Sequence, residues 1–492
     1  MLGFLEILYV FIAFFIVLYY YYKIKFNFWK KRGIPGPKPI LFFGNTKDVI
    51  LRRMNIMDFR KELYNKYRNE PLIGFFDQTE PFLFVNDPEL IKDVLITDSA
   101  VFAGRGSNYS EKADPLDHHI FYMKTDKAQP IRAKVSPMFT PSKLRSMVPI
   151  CLERSKNFKD WLDTLLSRNE EINYSDMIEK YISDLSTTCL FGYDLEALKD
   201  GENKVLQQIR KAVSANTWKN ICKSLLPNIV MQNKLYDLIG YYMFGNAQEW
   251  QFFTALVKNI DSYRKKHGID RHDLTNVIMG LKQNEITDQL VVANIFAFMA
   301  ASETSSATAT NTMYELALNQ SIQDKLREEI KSVRASNKEK QITYDDINTM
   351  SYLDAVFKET LRKYPIADVI GRQAISCYTF RNSKVTIPKN QLVGIPVCGI
   401  HYNPDIYPKP EVYDPERFID PKTKNSMHYF PFGHGPRNCI GERFGILETK
   451  IVLITIIENY KVEPCENTKM IYNWEKIVQQ TRSMYLKLTK IN

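Results

Sequence analysis

Neither proline nor glycine interrupts the chain between Thr287 and Leu318. Thr287 suits an N-cap, because its hydroxyl can accept from an amide of the first turn. A helix over this stretch would be about 50 Å long at about 1.5 Å per residue, beyond the ordinary globular helix. Its middle, Val291 to Ala301, is apolar on nearly every side, so it must pass through the core of a body large enough to bury it. Ser302-Glu303-Thr304-Ser305-Ser306 follows directly. Polar groups in such a setting demand partners or a function.

The remaining chain supports a large, mostly helical body. Helical patterns dominate from about Asp87 to Leu361. Strand-like runs lie at Pro71–Phe76, Pro81–Val85, Lys384–Ile387 and Gln391–Pro396, and a last helix covers about Ile440–Glu458. Low-complexity, heptad and solenoid repeats are absent, as is a βαβ pattern. The expected fold class is mainly α with a small β region. Hydrophobic residues make up 45% of the 492, enough for such a core. Lys and Arg total 66 against 56 Asp and Glu, a net charge of +10. That excess suits nucleic acid, an anionic membrane or an acidic protein, or simply a solvated surface. Without a zinc finger, an RNA-binding sheet motif or a long basic run, no nucleic-acid partner is expected. Cys151, Cys189, Cys222, Cys377, Cys398, Cys439 and Cys465 form no CxxC pair. This argues against zinc and a disulfide scaffold and for reduced thiols.

Leu2 to Tyr22 is almost continuously apolar or aromatic, with Glu6 its only charge. That is enough to span a hydrocarbon core of about 30 Å as a transmembrane helix. The run ends in Tyr19-Tyr20-Tyr21-Tyr22, which suits a membrane–water interface, and lacks the small-residue site of a cleaved signal. Lys23, Lys25, Lys30, Lys31 and Arg32 follow and would keep the body on the cytosolic side. Asn108-Tyr109-Ser110, Asn173-Tyr174-Ser175 and Asn319-Gln320-Ser321 should then stay unglycosylated. Pro35-Gly36-Pro37 and Pro39 make a stiff, non-helical joint. The expected division is an anchor at 1–22, a basic and proline-rich linker at 23–40, and a catalytic body at 41–492.

The strongest chemical signal is Phe432-Gly433-His434-Gly435-Pro436-Arg437-Asn438-Cys439-Ile440-Gly441. Cys439 ends a glycine-rich loop and precedes a helix, whose unpaired amides and dipole favour a thiolate. Gly435 and Gly441 permit close approach or positive φ. Arg437 can pair with a carboxylate, and Phe432 can cover the sulfur. A thiolate so placed suits a metal, and heme iron takes Cys as its ligand in the oxygenases that split O–O.

This segment resembles the heme loop of the cytochrome P-450 superfamily, FxxGxRxCxG, at each fixed position. Glu359-Thr360-Leu361-Arg362 is similar to that family's ExxR, and Asp414-Pro415-Glu416-Arg417-Phe418 to its PERF-like segment. Glu359, Arg362 and Arg417 are expected to be structural, locking the core around the heme. Ala300-Ala301-Ser302-Glu303-Thr304 aligns with the oxygen-binding segment, with Ala301 where the family usually has Gly. Glu303 and Thr304 would relay protons there; the competing reading is a helix whose hydroxyls bond back to the preceding turn. Arg132 matches the family's WxxxR, but Ala128 replaces its Trp. Arg372 and Arg105 are further candidates for the propionates. Glu303-Thr304-Ser305-Ser306, Tyr314-Glu315-Leu316-Ala317-Leu318-Asn319 and Ser136-Pro137-Met138-Phe139-Thr140 resemble most the insect microsomal branch called family six.

The resemblance implies a helical prism with an N-terminal transmembrane helix, heme b bound through Cys439, and membership of the endoplasmic reticulum membrane. It implies a heme-thiolate monooxygenase that inserts one atom of O2 into lipophilic substrates, xenobiotic or endogenous. NADPH would act through NADPH-cytochrome P-450 reductase, with cytochrome b5 an optional second donor and membrane lipid a further partner. Heme-binding residues would be Cys439, Phe432, Gly433, Gly435, Arg437, Gly441, Arg132, Arg372, Arg105 and Ala301. Two other classes remain: a heme-thiolate isomerase or dehydratase without a reductase, and a heme-binding protein without turnover. Arg132, Lys134, Lys143, Arg145, Lys422, Lys424 and Arg443 could form a basic face for the reductase. Substrate contacts would come from Gly106–Phe121, Phe296–Thr304, Ile366–Ile370 and Val478–Thr481, with His118, His119, Tyr122 and Asp368 as polar anchors.

Overall fold

Beta-branched and aromatic residues at Leu72–Asp77 and Glu80–Val85 form a hairpin, β1 and β2, in which Leu72 pairs with Val85 and Asp77 with Glu80. In this computed structural model, the described residues are 2–106, 110–167, 172–199, 203–213, 237, 247–281, 287–336, 341–381, 383–419, 427–470 and 483–491. They fall into two compact units.

The first unit comprises residues 1–106, 367–410 and 427–438. It holds β1, β2, β3 (Ile370–Gln373), β4 (Tyr378–Thr379), β5 (Thr386–Ile387) and β6 (Leu392–Ile395). The main sheet runs β1-β2-β6-β3, with β2 parallel to β6 and the other pairs antiparallel. Phe75, Phe76, Leu83, Phe84, Val393 and Ile395 are buried on it. The apolar N-terminal run is one helix, Leu2–Phe26, four residues longer at its end than the Tyr22 boundary read from the sequence. Trp29, just beyond it, is buried and donates Nε1–H to the Phe75 carbonyl at 2.9 Å. The chain leaving that helix is therefore docked on the sheet by a buried hydrogen bond.

The second unit comprises residues 107–366, 411–426 and 439–492 and is mostly helical. Long helices at Pro141–Ser167, Tyr174–Phe191 and Glu442–Asn459 pack with the expected central helix around one hydrophobic core. β7 (Tyr460–Pro464) and β8 (Leu486–Lys490) form an antiparallel pair. Thr287 caps the central helix, its hydroxyl accepting from the Leu290 amide at 3.3 Å. One feature differs from the continuous helix read from the sequence. It is interrupted for a single residue, giving Asp288–Ala300 and Ser302–Leu318 with Ala301 between them. The Thr304 amide bonds to Ala301 O three residues back, and Thr304 Oγ1 donates to the same carbonyl at 2.8 Å. Hydroxyls that compete for backbone carbonyls loosen a helix at such a point without any glycine.

Candidate active site

The central helix is buried almost throughout, yet Ala301 is exposed and Ala297, Ala300 and Thr304 are half-open. Spaced by three and four residues, they form one stripe along one face. All are small, so the stripe is shallow and could lie against a flat group. Beside it Glu303 is only 1% exposed. A neighbouring helix pins the same turn, with Ser183 Oγ 3.0 Å from Ser302 Oγ, and within the helix Ser306 Oγ donates to Ser302 O at 2.9 Å.

Cys439 belongs to the same unit and is exposed, whereas Cys151, Cys189 and Cys398 are buried. Its helix begins at Glu442 with Gly441 as N-cap, two residues later than the sequence suggested. The Arg132 guanidinium is near enough to interact with the Cys439 thiolate. Burial pulls its pKa down and the thiolate opposes that pull. Ala128, which stands in place of a Trp donor, is buried.

The first unit supplies the rest of the loop. A short 3-10 turn spans Gly435–Arg437. Gly433 and Gly435 have φ of 74° and 76°, and a Cβ on Gly435 would sit 2.0 Å from Leu95 O. Only glycine fits there. Gly441 behaves differently from the expectation for it: its φ is −89°, and a Cβ there would meet no protein atom within 4 Å. Its need for glycine does not come from the chain itself, which is consistent with space kept for a bound group.

Arg372 is 3% exposed, and its Nη1 donates to Gly371 O at 2.9 Å while Nη2 has no hydrogen-bond partner in the protein. Burial, and then the positive charge of Arg437, push its pKa down to about 10. Arg105 Nη2 reaches the Arg437 carbonyl at 3.4 Å. Arg105, Arg372 and Arg437 thus converge in this unit, and the two carboxylates of heme would offset their repulsion and accept from Arg372 Nη2. The residues present fit heme b.

The expected structural trio is assembled within the second unit. Arg362 Nε and Nη2 donate to both Glu359 oxygens at 2.7 and 2.8 Å, with both side chains fully buried. Arg417 Nε lies 3.5 Å from Glu359 Oε1, and the Asp414 amide donates to that oxygen at 2.9 Å. Burial raises the Glu359 pKa against the pull of Arg362.

The polar residues expected on the substrate side already have partners within the protein. Asp368 Oδ2 is held by Arg60 Nη1 at 2.6 Å, so it is engaged within the fold. His118 is buried with Nε2 3.4 Å from Glu111 Oε1, and burial lowers its pKa. His119 Nδ1 accepts from the Phe121 amide at 3.3 Å, with its ring beside Tyr122. Ser107, Asn108 and Tyr109, Val478–Thr481, Lys422 and Lys424 lie outside the described residues. Arg145 is paired to Asp345 at 2.9 Å, while Lys134 and Arg443 are exposed. Two contributors were not found from the sequence. Asn294 ties this loop to the central helix by accepting from the Ile120 amide at 3.2 Å, and a lone Asn in an apolar run was the available signal. Glu448 is the other, and no local sequence pattern marked it.

The family described as Cytochrome P450 matches residues 34–488. The chain belongs to that family. It is 34% identical to Cytochrome P450 6A1 of Musca domestica, over 91% of this chain and 90% of that protein. Identity is likewise 34% to Cytochrome P450 6B1 of Papilio polyxenes over 91% of both, and 33% to Cytochrome P450 6a2 of Drosophila melanogaster over 94% and 95%. The likeness to the insect family-six branch and the P450 fold therefore both hold. This P450 is a monooxygenase with heme b as its cofactor, and the family uses NADPH by way of a reductase.

Proposed function

We propose that this P450 hydroxylates lipophilic substrates, xenobiotic or endogenous, from the cytosolic face of the endoplasmic reticulum membrane. Its anchor would be the N-terminal helix, its electron donor NADPH-cytochrome P450 reductase, and cytochrome b5 an optional second donor. The observation that carries the reading is the open stripe of Ala297, Ala300, Ala301 and Thr304 on an otherwise buried helix, with the Glu303 carboxyl buried beside it.

Heme, when bound, supplies the activation of O2. Each residue of the chain then has a defined task. Cys439 Sγ would hold the iron as a thiolate, and the nearby Arg132 guanidinium would help to balance its charge. Arg372, Arg437 and Arg105 would hold the propionates. Glu359, Arg362 and Arg417 stay structural, since breaking a buried pair costs about 3–5 kcal/mol and would release the segment at Val412 and Asp414 that they hold. Thr304 Oγ1 handles the proton. At rest it donates to Ala301 O, a bond worth about 1 kcal/mol net, so χ1 rotation can redirect it toward the open stripe. Glu303 resupplies that proton from its buried position. The exposed Lys134 and Arg443 face the electron donor, and association should weaken as salt rises.

The test is Cys439→Ala. The carbon-monoxide difference spectrum of the reduced variant should lose the Soret band of thiolate-ligated heme. A retained band would remove Cys439 from the site.

A further inference from the structure

The turn that carries Thr304 is held from behind by a carboxyl group with no part in the relay just described. Glu448, on the Glu442–Asn459 helix, is 3% exposed. Its Oε2 is bonded by Ser186 Oγ at 2.5 Å, from the Tyr174–Phe191 helix. Ser305, on the central helix, lies near enough to the carboxyl to pull its pKa down against burial. Gly445, one turn before Glu448, faces the same Ser305 hydroxyl; a Cβ there would lie 3.4 Å from it. No lysine or arginine among the described residues pairs with the group. Ser183 and Ser302 close a second link between two of these helices at 3.0 Å. Three helices are thus joined through polar contacts at the residues on either side of Glu303-Thr304.

We propose that Glu448 is a positioning residue, whose carboxyl bridges Ser186 and Ser305 and so fixes the Ser302–Ser306 turn and the Thr304 hydroxyl on it. A buried carboxylate without a cation is costly, and burial pushes this one up to about 7. As a neutral acid it offers one donor and one acceptor to two hydroxyls that can each play either part. Glutamine reproduces that inventory and alanine removes it.

The inference rests on the proton-handling reading of Thr304, so the experiment has one arm that does not. Full-length, heme-loaded Glu448→Ala and Glu448→Gln enzymes are compared with the parent by amide hydrogen exchange across residues 302–308. They are also compared by product and peroxide formed per NADPH with reductase present. Glu448→Ala should exchange about five- to tenfold faster there, as expected for losing one or two hydrogen bonds. It should keep its NADPH oxidation rate, with product per NADPH falling several-fold and peroxide rising. Glu448→Gln should restore both readouts. Unchanged exchange, or faster exchange with unchanged coupling, overturns the proposal. If Glu448→Ala fails to hold heme, Ser305→Ala is scored the same way and decides it. Thr304→Ala run alongside separates the two readings: unchanged coupling in that variant retires the proton relay itself.

Discussion

The helices at Glu6–Phe26 and Asp288–Leu318 are both long and apolar enough to cross a membrane, at 21 and 31 residues, yet their surroundings are opposite. The first has none of its apolar window buried; the second has 78% of it buried within the protein. What separates them is the fate of their polar groups. Past Glu6 and Tyr9, the first carries none until the tyrosines and Lys23 and Lys25 at its end. In the second, Asn294, Ser302, Ser306, Thr308 and Thr312 each bond within the protein, to the helix's own carbonyls or to neighbouring segments. Apolarity alone therefore does not tell a core helix from a membrane span. Interior polar residues with protein partners do, because lipid would leave them unsatisfied.

The same substitution in each helix should break the symmetry most strongly. Ala309 is fully buried, so Ala309→Arg forces an unpaired charge into the core. That costs several kcal/mol, much of a stability of about 5–15 kcal/mol, and no heme-loaded protein should be recovered. Val17 is 68% exposed. Val17→Arg should leave the carbon-monoxide Soret band and melting temperature unchanged, and move part of the protein from microsomal membrane to supernatant. A folded Ala309→Arg enzyme would mean that the core tolerates what only a lipid or water boundary should.

A smaller effect is expected at Thr304, where the buried helix opens. Thr304→Ala should keep heme and NADPH oxidation but form several-fold less product per NADPH, with more hydrogen peroxide; Thr304→Ser, which keeps the oxygen, should recover much of the coupling. A ratio unchanged from the parent would leave Thr304 with only the bond it makes to Ala301.

Much of this was legible in the sequence because the signals are local. The Glu359–Arg362 spacing and the Thr287 cap each lie within one helix or one turn, and Glu359 and Arg362 meet as their i, i+3 spacing requires. The interruption at Ala301 was not legible, since it arises from hydroxyls competing for carbonyls and not from a helix-breaking residue. Asp368 looked available as an anchor because its partner, Arg60, is distant in sequence. The contact between Ser186 and Glu448 was hidden for the same reason, whereas Arg105, Arg372 and Arg437 were marked by the family resemblance. Both contacts join segments that only the folded chain brings together.

The finest distinction between the two helices is in pH dependence, and it should be the smallest effect. No carboxyl is buried against the N-terminal helix among the described residues, whereas the central one leans on Glu448. Glu448 has a folded pKa raised to about 7 from an ordinary 4.5. The group that faces it from the Pro141–Ser167 helix is the Cys151 thiol, itself raised by its contact with Cys189, by burial and by Glu448. Between those values the unfolded chain has lost the proton that the folded chain keeps, so unfolding releases it and rising pH favours the unfolded state. The contribution is thus fully present below about pH 4.5, shrinks through the interval and is gone above about pH 7. The melting temperature of the parent minus that of Glu448→Gln should fall by a few degrees between pH 5 and pH 7.5, then level off. Taking the difference cancels groups that titrate in both proteins, among them Asp184, which is raised to about 6 by burial. A difference that is flat with pH, or that grows as pH rises, would show that Glu448 is ionised in the folded enzyme.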